Sequence, residues 1–324
     1  MDEAGLRRIV WSLDRAGLRR LRQLITERWR EVPEGAPPQP PKRPRGRPPR
    51  SVDRAALVAA LAKHEGSIRA AARESDLSRS TFARRAAAVP DWAWAYGPEV
   101  LEPHAKLLHD SAVLPGVARA RGYESMRGPE RPDKAGLLVP IWTVHGRRVW
   151  SQLRYDRPRD HRNRYENARD AFAVVDCSPA ARPRVLDPDQ PLYVTESPRK
   201  ADAAVSHGLA CVDFPGIRML RLDDETWEYI GVSGRDVRVC FDGDVAIKGD
   251  VEAAEWWLCE YLSGKGARVT VYRLPVNQGL DDYLASGKAI EALPVAKLSV
   301  HAPDVWRVGW SPRRGRADER RERR

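Results

Sequence analysis

The chain has 324 residues, enough for two or three domains and a sizeable core without disulfide or metal staples. Lys plus Arg number 56 against 45 Asp plus Glu, a formal charge of +11 that favours a polyanionic partner such as nucleic acid. Cys177, Cys211, Cys240 and Cys259 are far apart and form no Cys-x-x-Cys pair, which argues against zinc and for reduced, buried thiols. No apolar run approaches the ~20 residues of a membrane span, and the first residues do not read as a signal peptide, so a soluble, cytoplasmic protein without a membrane partner is expected.

Residues 1–31 carry Leu6, Ile9, Val10, Leu13, Leu21, Leu24 and Ile25 at mostly helical spacing, which predicts one amphipathic helix or two short ones that pack against the protein or a second copy. Residues 32–50 turn to Pro, Gly and basic residues, the composition of an extended linker. Within it Arg45-Gly46-Arg47-Pro48 resembles an AT-hook. Gly lets the backbone approach the floor of the minor groove, and Arg45 and Arg47 enter its negative potential. A basic linker without specific binding is the alternative.

Residues 51–90 read as three helices, Asp53 to His64, Ser67 to Ser75 and Ser78 to Ala88, the last capped by the Ser78 hydroxyl. The stretch from Gly66 to Arg85 resembles a Fis-type helix-turn-helix, with Ala71 and Ala72 at the helix crossing and Ile68, Leu77 and Phe82 in its small core. That resemblance directs Arg79, Ser80, Arg84 and Arg85 outward to the major groove of duplex DNA. A three-helix bundle with a solvated basic face is the alternative.

In residues 91–185 a helical segment is expected from about Glu99 to Gly122. Two β-rich runs follow, Gly136 to Val144 and Arg147 to Tyr155, joined through His145-Gly146 as a hairpin. Val139-Pro-Ile-Trp-Thr-Val-His-Gly146 with Arg164-Tyr165-Glu166-Asn167 resembles the basic half of the bacterial primase catalytic core. The resemblance implies that Arg154 and Arg164 contact template phosphates or an incoming nucleotide. A hairpin with a structural role only is the rival reading.

Two apolar runs in residues 186–300 end abruptly in carboxylate, Pro191-Leu-Tyr-Val-Thr-Glu196 and Val237-Arg-Val-Cys-Phe-Asp242-Gly-Asp244. Both suit buried parallel strands, and ligands of open α/β sheets bind beyond the carboxyl ends of such strands. Glu196, Asp242 and Asp244 would then surround one crevice and repel one another unless a cation joined them. Mg²⁺, with Mn²⁺ as a substitute, suits that oxygen donor set. Helices are expected at Pro198 to Ser206 and Val251 to Leu262, and strands at Leu209 to Asp213 and Arg268 to Leu274.

Leu192-Tyr-Val-Thr-Glu196, Lys200-Ala201-Asp202 and Phe241-Asp242-Gly243-Asp244 together resemble a Toprim domain, and the run through Gly279-Leu-Asp-Asp-Tyr-Leu284 resembles Toprim-like proteins of phages and mobile elements. By that resemblance Glu196 is a general acid/base or metal ligand, Asp242 and Asp244 hold Mg²⁺, and Lys200, Asp281 and Asp282 are accessories. Capping of a short helix is the other reading of Asp281 and Asp282. Toprim domains usually place Gly directly after the glutamate, whereas this chain has Ser197, which can cap the helix begun by Pro198. Residues 301–324 read as a basic mixed-charge tail.

The expected fold class is therefore α/β, a Toprim-like, mainly parallel sheet flanked by helices, preceded by a basic α+β subdomain and a small all-α helix-turn-helix domain. The function expected from these resemblances is primase-like nucleotidyl transfer on DNA, in a protein of a mobile element or phage. A Toprim nuclease and a catalytically silent DNA-binding factor are the alternatives. Expected partners are duplex DNA at the amino-terminal modules, single strand or nucleotide at the carboxylates, and a replicative helicase or a second copy of the chain.

Overall fold

Three short helices begin the described part of the chain, each started by a side-chain cap. The computed structural model describes residues 53–75, 77–126, 135–158, 164–243 and 249–296, so residues 1–31, for which helix was expected, Arg45 and Arg47 of the expected AT-hook, Asp244 and residues 301–324 lie outside the described residues. Helix α1 (Arg54–Lys63) is capped by Asp53, α2 (Ile68–Arg73) by Ser67 and α3 (Arg79–Ala86) by Ser78, whose hydroxyl accepts from the Thr81 N–H. Leu57, Val58, Leu61, Ala71, Ala72 and Phe82 bury against one another in a core of their own. Ile68 departs from expectation. It opens α2 on the outer face and is 37% exposed, because Ala71 and Ala72 occupy the crossing that a core residue would need.

The segment expected as one helix from Glu99 to Gly122 is broken. Helix α4 (Trp92–Ala95) is followed by α5 (Glu102–Asp110) and α6 (Pro115–Arg121). Ala112 adopts a left-handed φ of 57°, and Pro115, lacking an N–H, starts a helix rather than continuing one. The chain then forms an antiparallel sheet in the order β1 (Glu124–Met126), β2 (Gly136–Trp142), β3 (Arg148–Tyr155), β4 (Tyr165–Asn167). Strands β2 and β3 are the expected hairpin, with Gly146 supplying the positive φ of 81° at its turn.

After helix α7 (Arg182–Val185), strand and helix alternate: β5 (Leu192–Thr195), α8 (Pro198–Ser206), β6 (Ala210–Asp213), α9 (Asp224–Ile230), β7 (Asp236–Val239), α10 (Gly249–Gly264) and β8 (Arg268–Tyr272). Helix α11 (Leu280–Ala285) and the short β9 (Val295–Ala296) complete the unit. The sheet order is β6-β5-β7-β8-β9, parallel except for β9. Because β6 lies on one side of β5 and β7 on the other, the direction of winding reverses between β5 and β7, which is where open α/β sheets leave a crevice. Every residue of β5 is buried. Ser197 occupies the capping position of α8 but its hydroxyl makes no capping hydrogen bond; Pro198 at the first turn has no N–H to be satisfied there.

The two sheets are joined by a buried ionic centre. Asp176 exchanges backbone hydrogen bonds with Asp213 on β6, and the next residue, Cys177, donates its N–H to Trp142 on β2. Arg121, at the end of α6, stands in this joint with its Nε 2.5 Å from Asp202 and its Nη1 2.7 Å from Asp176. Its Nη2 is 3.9 Å from Asp213, and all four side chains are inaccessible to solvent. Burial, reinforced by the neighbouring charge of Asp176, pushes the Asp213 carboxyl well above the ordinary carboxylate range. Asp202 also moves up through burial, against the pull of Arg121. All four cysteines are buried and free, and among the described residues no helix is long and apolar enough to cross a membrane.

Candidate functional site

Beyond the carboxyl ends of β5 and β7 lies an open cleft of about 420 Å³, lined by Arg164, Glu196, Lys200, Asp242, Gln278 and Asp281 among others. Glu196 follows the last residue of β5, and Asp242 follows β7 by three positions, so the strand ends themselves bring two of the expected carboxylates to one place. The Asp242 N–H donates to Glu196 Oε1 at 3.2 Å. Asp244, the third member of the expected set, lies outside the described residues.

The cation between Glu196 and Asp242 is a side chain. Lys200, in the first turn of α8, places its Nζ 2.5 Å from Glu196 Oε1 and 2.6 Å from Asp242 Oδ1. Burial disfavours its ammonium, but the two carboxylates outweigh that and raise its pKa above the ordinary lysine value. Asp242 is pushed up to about 7, first by burial and then by the charge of Glu196, with Lys200 opposing the shift.

Asp281 and Asp282, a single pair in sequence terms, separate in the fold. Asp282 accepts from the Gly279 N–H at 3.2 Å and so caps α11. Asp281 is buried to 1% exposure, lies on the cleft and carries its charge opposite Arg199, whose Nη2 is 3.0 Å from Oδ2. Neither Asp281 oxygen accepts a well-directed hydrogen bond. Packing here is close. A Cβ at Gly279 would stand 2.6 Å from Asp281 Oδ1, 3.1 Å from Lys200 Cε and 3.3 Å from Asp242 Oδ1. Only a residue without a side chain leaves these three groups where they are.

Arg199 is the participant that sequence reasoning missed. A detectable signal existed, because Arg199 and Lys200 occupy the first turn of α8, where the helix macrodipole is positive and cations are disfavoured. Two successive cations at that place imply anions facing them. Arg164 lines the cleft beside Tyr165, whereas Arg154, half-buried in β3, does not line it and borders a separate small cavity with Tyr165, Ser197 and Arg199. In the helix-turn-helix Arg79, Ser80 and Arg84 are exposed along α3, and Arg85 is partly buried.

The donor type at the cleft, carboxylate oxygen, is the one a hard divalent cation takes. Glu196, Asp242 and Asp281 present only carboxylate oxygen, and Asp281 holds oxygens without well-directed donors at the cleft. Among the described residues, no group of three His, Cys, Asp or Glu is placed to hold a metal ion.

A family model described as a domain of unknown function (DUF3854) matches residues 184–290. Residues 48–87 match a model described as bacterial regulatory protein, Fis family. No curated protein matches the chain. Among solved structures it is similar to the zinc-binding and RNA polymerase domains of Aquifex aeolicus primase, at 13% identity and a TM-score of 0.45, covering 71% of each chain. It is also similar to the RNA polymerase domain of Mycobacterium tuberculosis primase DnaG, at 17% identity and a TM-score of 0.38, covering 78% of this chain and 85% of that one. For a structure of the DnaG catalytic core the values are 15%, 0.42, 59% and 72%.

Proposed function

We propose that this chain is a DNA-binding, divalent-cation-dependent phosphoryl-transfer protein, with primase-like nucleotidyl transfer as its reaction and a mobile element or phage as its setting. The observation that carries the reading is the convergence of Glu196, Asp242 and Asp281 on one cleft at the switch point of a parallel sheet, beside Arg164 and Tyr165. Glu196, Asp242 and Asp244 would hold Mg²⁺, or Mn²⁺ in its place. The ion, when bound, neutralises charge on phosphoryl oxygens.

The residues of the chain supply the rest. Arg164, exposed at the mouth of the cleft, attracts a phosphate, and Tyr165, 40% exposed beside it, offers an aromatic face to a base. Arg154 supports Tyr165 from the neighbouring strand, where the two residues are paired in register. Arg79, Ser80 and Arg84 on α3 would bring the chain to duplex DNA, in keeping with the Fis-family match.

The test is incubation with single-stranded template, nucleoside triphosphates and Mg²⁺ or Mn²⁺, beside an Asp242→Ala chain. Template-dependent products that disappear in the variant are expected. A catalytically silent DNA-binding role is the second reading, and the Lys200 pairing favours it, because the carboxylates are neutralised without a metal. Absence of products from both chains, with duplex binding intact, would establish that reading instead.

A further inference from the structure

Lys200 is held in a way that helix formation does not explain. It stands in the first turn of a nine-residue helix, where an ammonium opposes the macrodipole. It is also 9% exposed, so its charge is largely withdrawn from water. Both costs are offset by contacts with two carboxylates from different strand ends, at 2.5 Å and 2.6 Å. Glu196 Oε1 receives the ammonium and the Asp242 N–H together, so the position between the two carboxylates is filled. The preceding residue, Arg199, faces Asp281 in the same manner.

We propose that Lys200 is a resident cation of the cleft, filling one cation position between Glu196 and Asp242, so that the native site takes at most one divalent ion. This deepens the phosphoryl-transfer reading and rests on it. Two divalent ions are a common way to neutralise both the attacking and the leaving oxygen in such reactions. Here a fixed ammonium occupies the place between two carboxylates that a second ion would take. It is a positioning residue, because its contacts are with the carboxylates that would hold the ion. The carboxylate oxygens left at the cleft for one ion are those of Glu196, Asp242 and Asp281 that Lys200 does not meet.

The test counts ions rather than turnover. Mn²⁺ binding to the full chain is measured by titration, with electron paramagnetic resonance to distinguish an isolated ion from a coupled pair. Native protein is expected to bind no more than one Mn²⁺ in the cleft. Lys200→Met, which keeps an apolar stem and removes the charge, should bind one more than native, whereas Lys200→Arg, which keeps the charge, should retain the native count. A native chain that binds a coupled pair, or equal counts in native and Lys200→Met, overturns the proposal.

Thermal unfolding gives a second readout that depends on neither turnover nor the ion count. Mn²⁺ should raise the melting temperature of Lys200→Met more than that of native protein, since the ion replaces the lost ammonium. Equal increments refute this. Failure of native protein to transfer nucleotides would sink the proposed reaction, yet the ion count and the melting increments would still decide the role of Lys200.

Discussion

Replacing Gly243 by alanine should damage the fold at the site itself. Gly243 directly follows Asp242, and its N–H donates to the Gln278 carbonyl at 3.1 Å, tying the turn after β7 to the loop before α11. A Cβ at this position would overlap the Pro275 carbonyl oxygen, standing 2.5 Å from the carbonyl carbon and 3.0 Å from the Leu274 oxygen. Carbon atoms settle at roughly 3.5–4.0 Å, so the two backbones must part by about 1 Å or more. Backbone on both sides leaves no side chain free to rotate away. Overpacking of this kind costs about 1–3 kcal/mol, and the strained hydrogen bond adds about 1 kcal/mol. For a unit of this size, where each kcal/mol shifts melting by about 2 °C, Gly243→Ala should melt about 4–8 °C below native protein. Circular dichroism or a dye-based melt checks the figure. Gly264→Ala is the control, because a Cβ there meets nothing within 4 Å and alanine favours the helix. If Gly243→Ala melts with native protein, within about 1 °C, the close approach of the two loops is wrong.

Removing the buried guanidinium with Arg121→Met leaves Asp176, Asp202 and Asp213 without their cation; a loss of about 3–5 kcal/mol by urea unfolding is expected. Asp213 also sets a pH dependence. Its folded pKa is raised, so its contribution is fully present below the unfolded value of about 3.9 and is lost as pH rises toward the folded value. Urea midpoints should therefore fall less steeply with rising pH above about 4 in Asp213→Asn than in native protein, and parallel curves would refute the assignment. On α3, Arg84→Ala should weaken duplex binding and reduce the slope of log affinity against log salt by about 1, measured by fluorescence anisotropy across a salt series.

Much of the site was legible in local patterning. Leu192-Tyr-Val-Thr195 is apolar throughout and ends at Glu196, and a continuous apolar run of that length suits a strand buried on both faces. Pro198 announces the start of α8, and the helix does run from Pro198 to Ser206, stopping before the positive-φ Gly208. The Ser78 cap, the starts of α1 and α2, the β2–β3 hairpin and the Asp282 cap depend on neighbours within a few residues. Expectation failed within the same range at Ala112, where a non-glycine residue takes a left-handed φ and breaks the anticipated long helix. It failed at Ile68 too, whose apolar character says nothing about which side of a one-turn helix faces the core.

What the chain determined by itself is where apolar runs stop, where helices start and which residue types stand at those ends, since backbone preferences and side-chain periodicity act over a few residues. Tertiary structure alone decided how those ends are matched. Lys200 meets Asp242 across 42 positions, and Arg121 meets Asp202 across 81. Asp281 faces Arg199 while its neighbour Asp282 caps a helix. The order β6-β5-β7-β8 sets Glu196 and Asp242 side by side, and it arises from crossovers whose contacts lie far apart in the chain. The physical reason is range. A buried charge is stable only opposite its partner, and a partner brought in by chain topology leaves no periodicity in the sequence beside it.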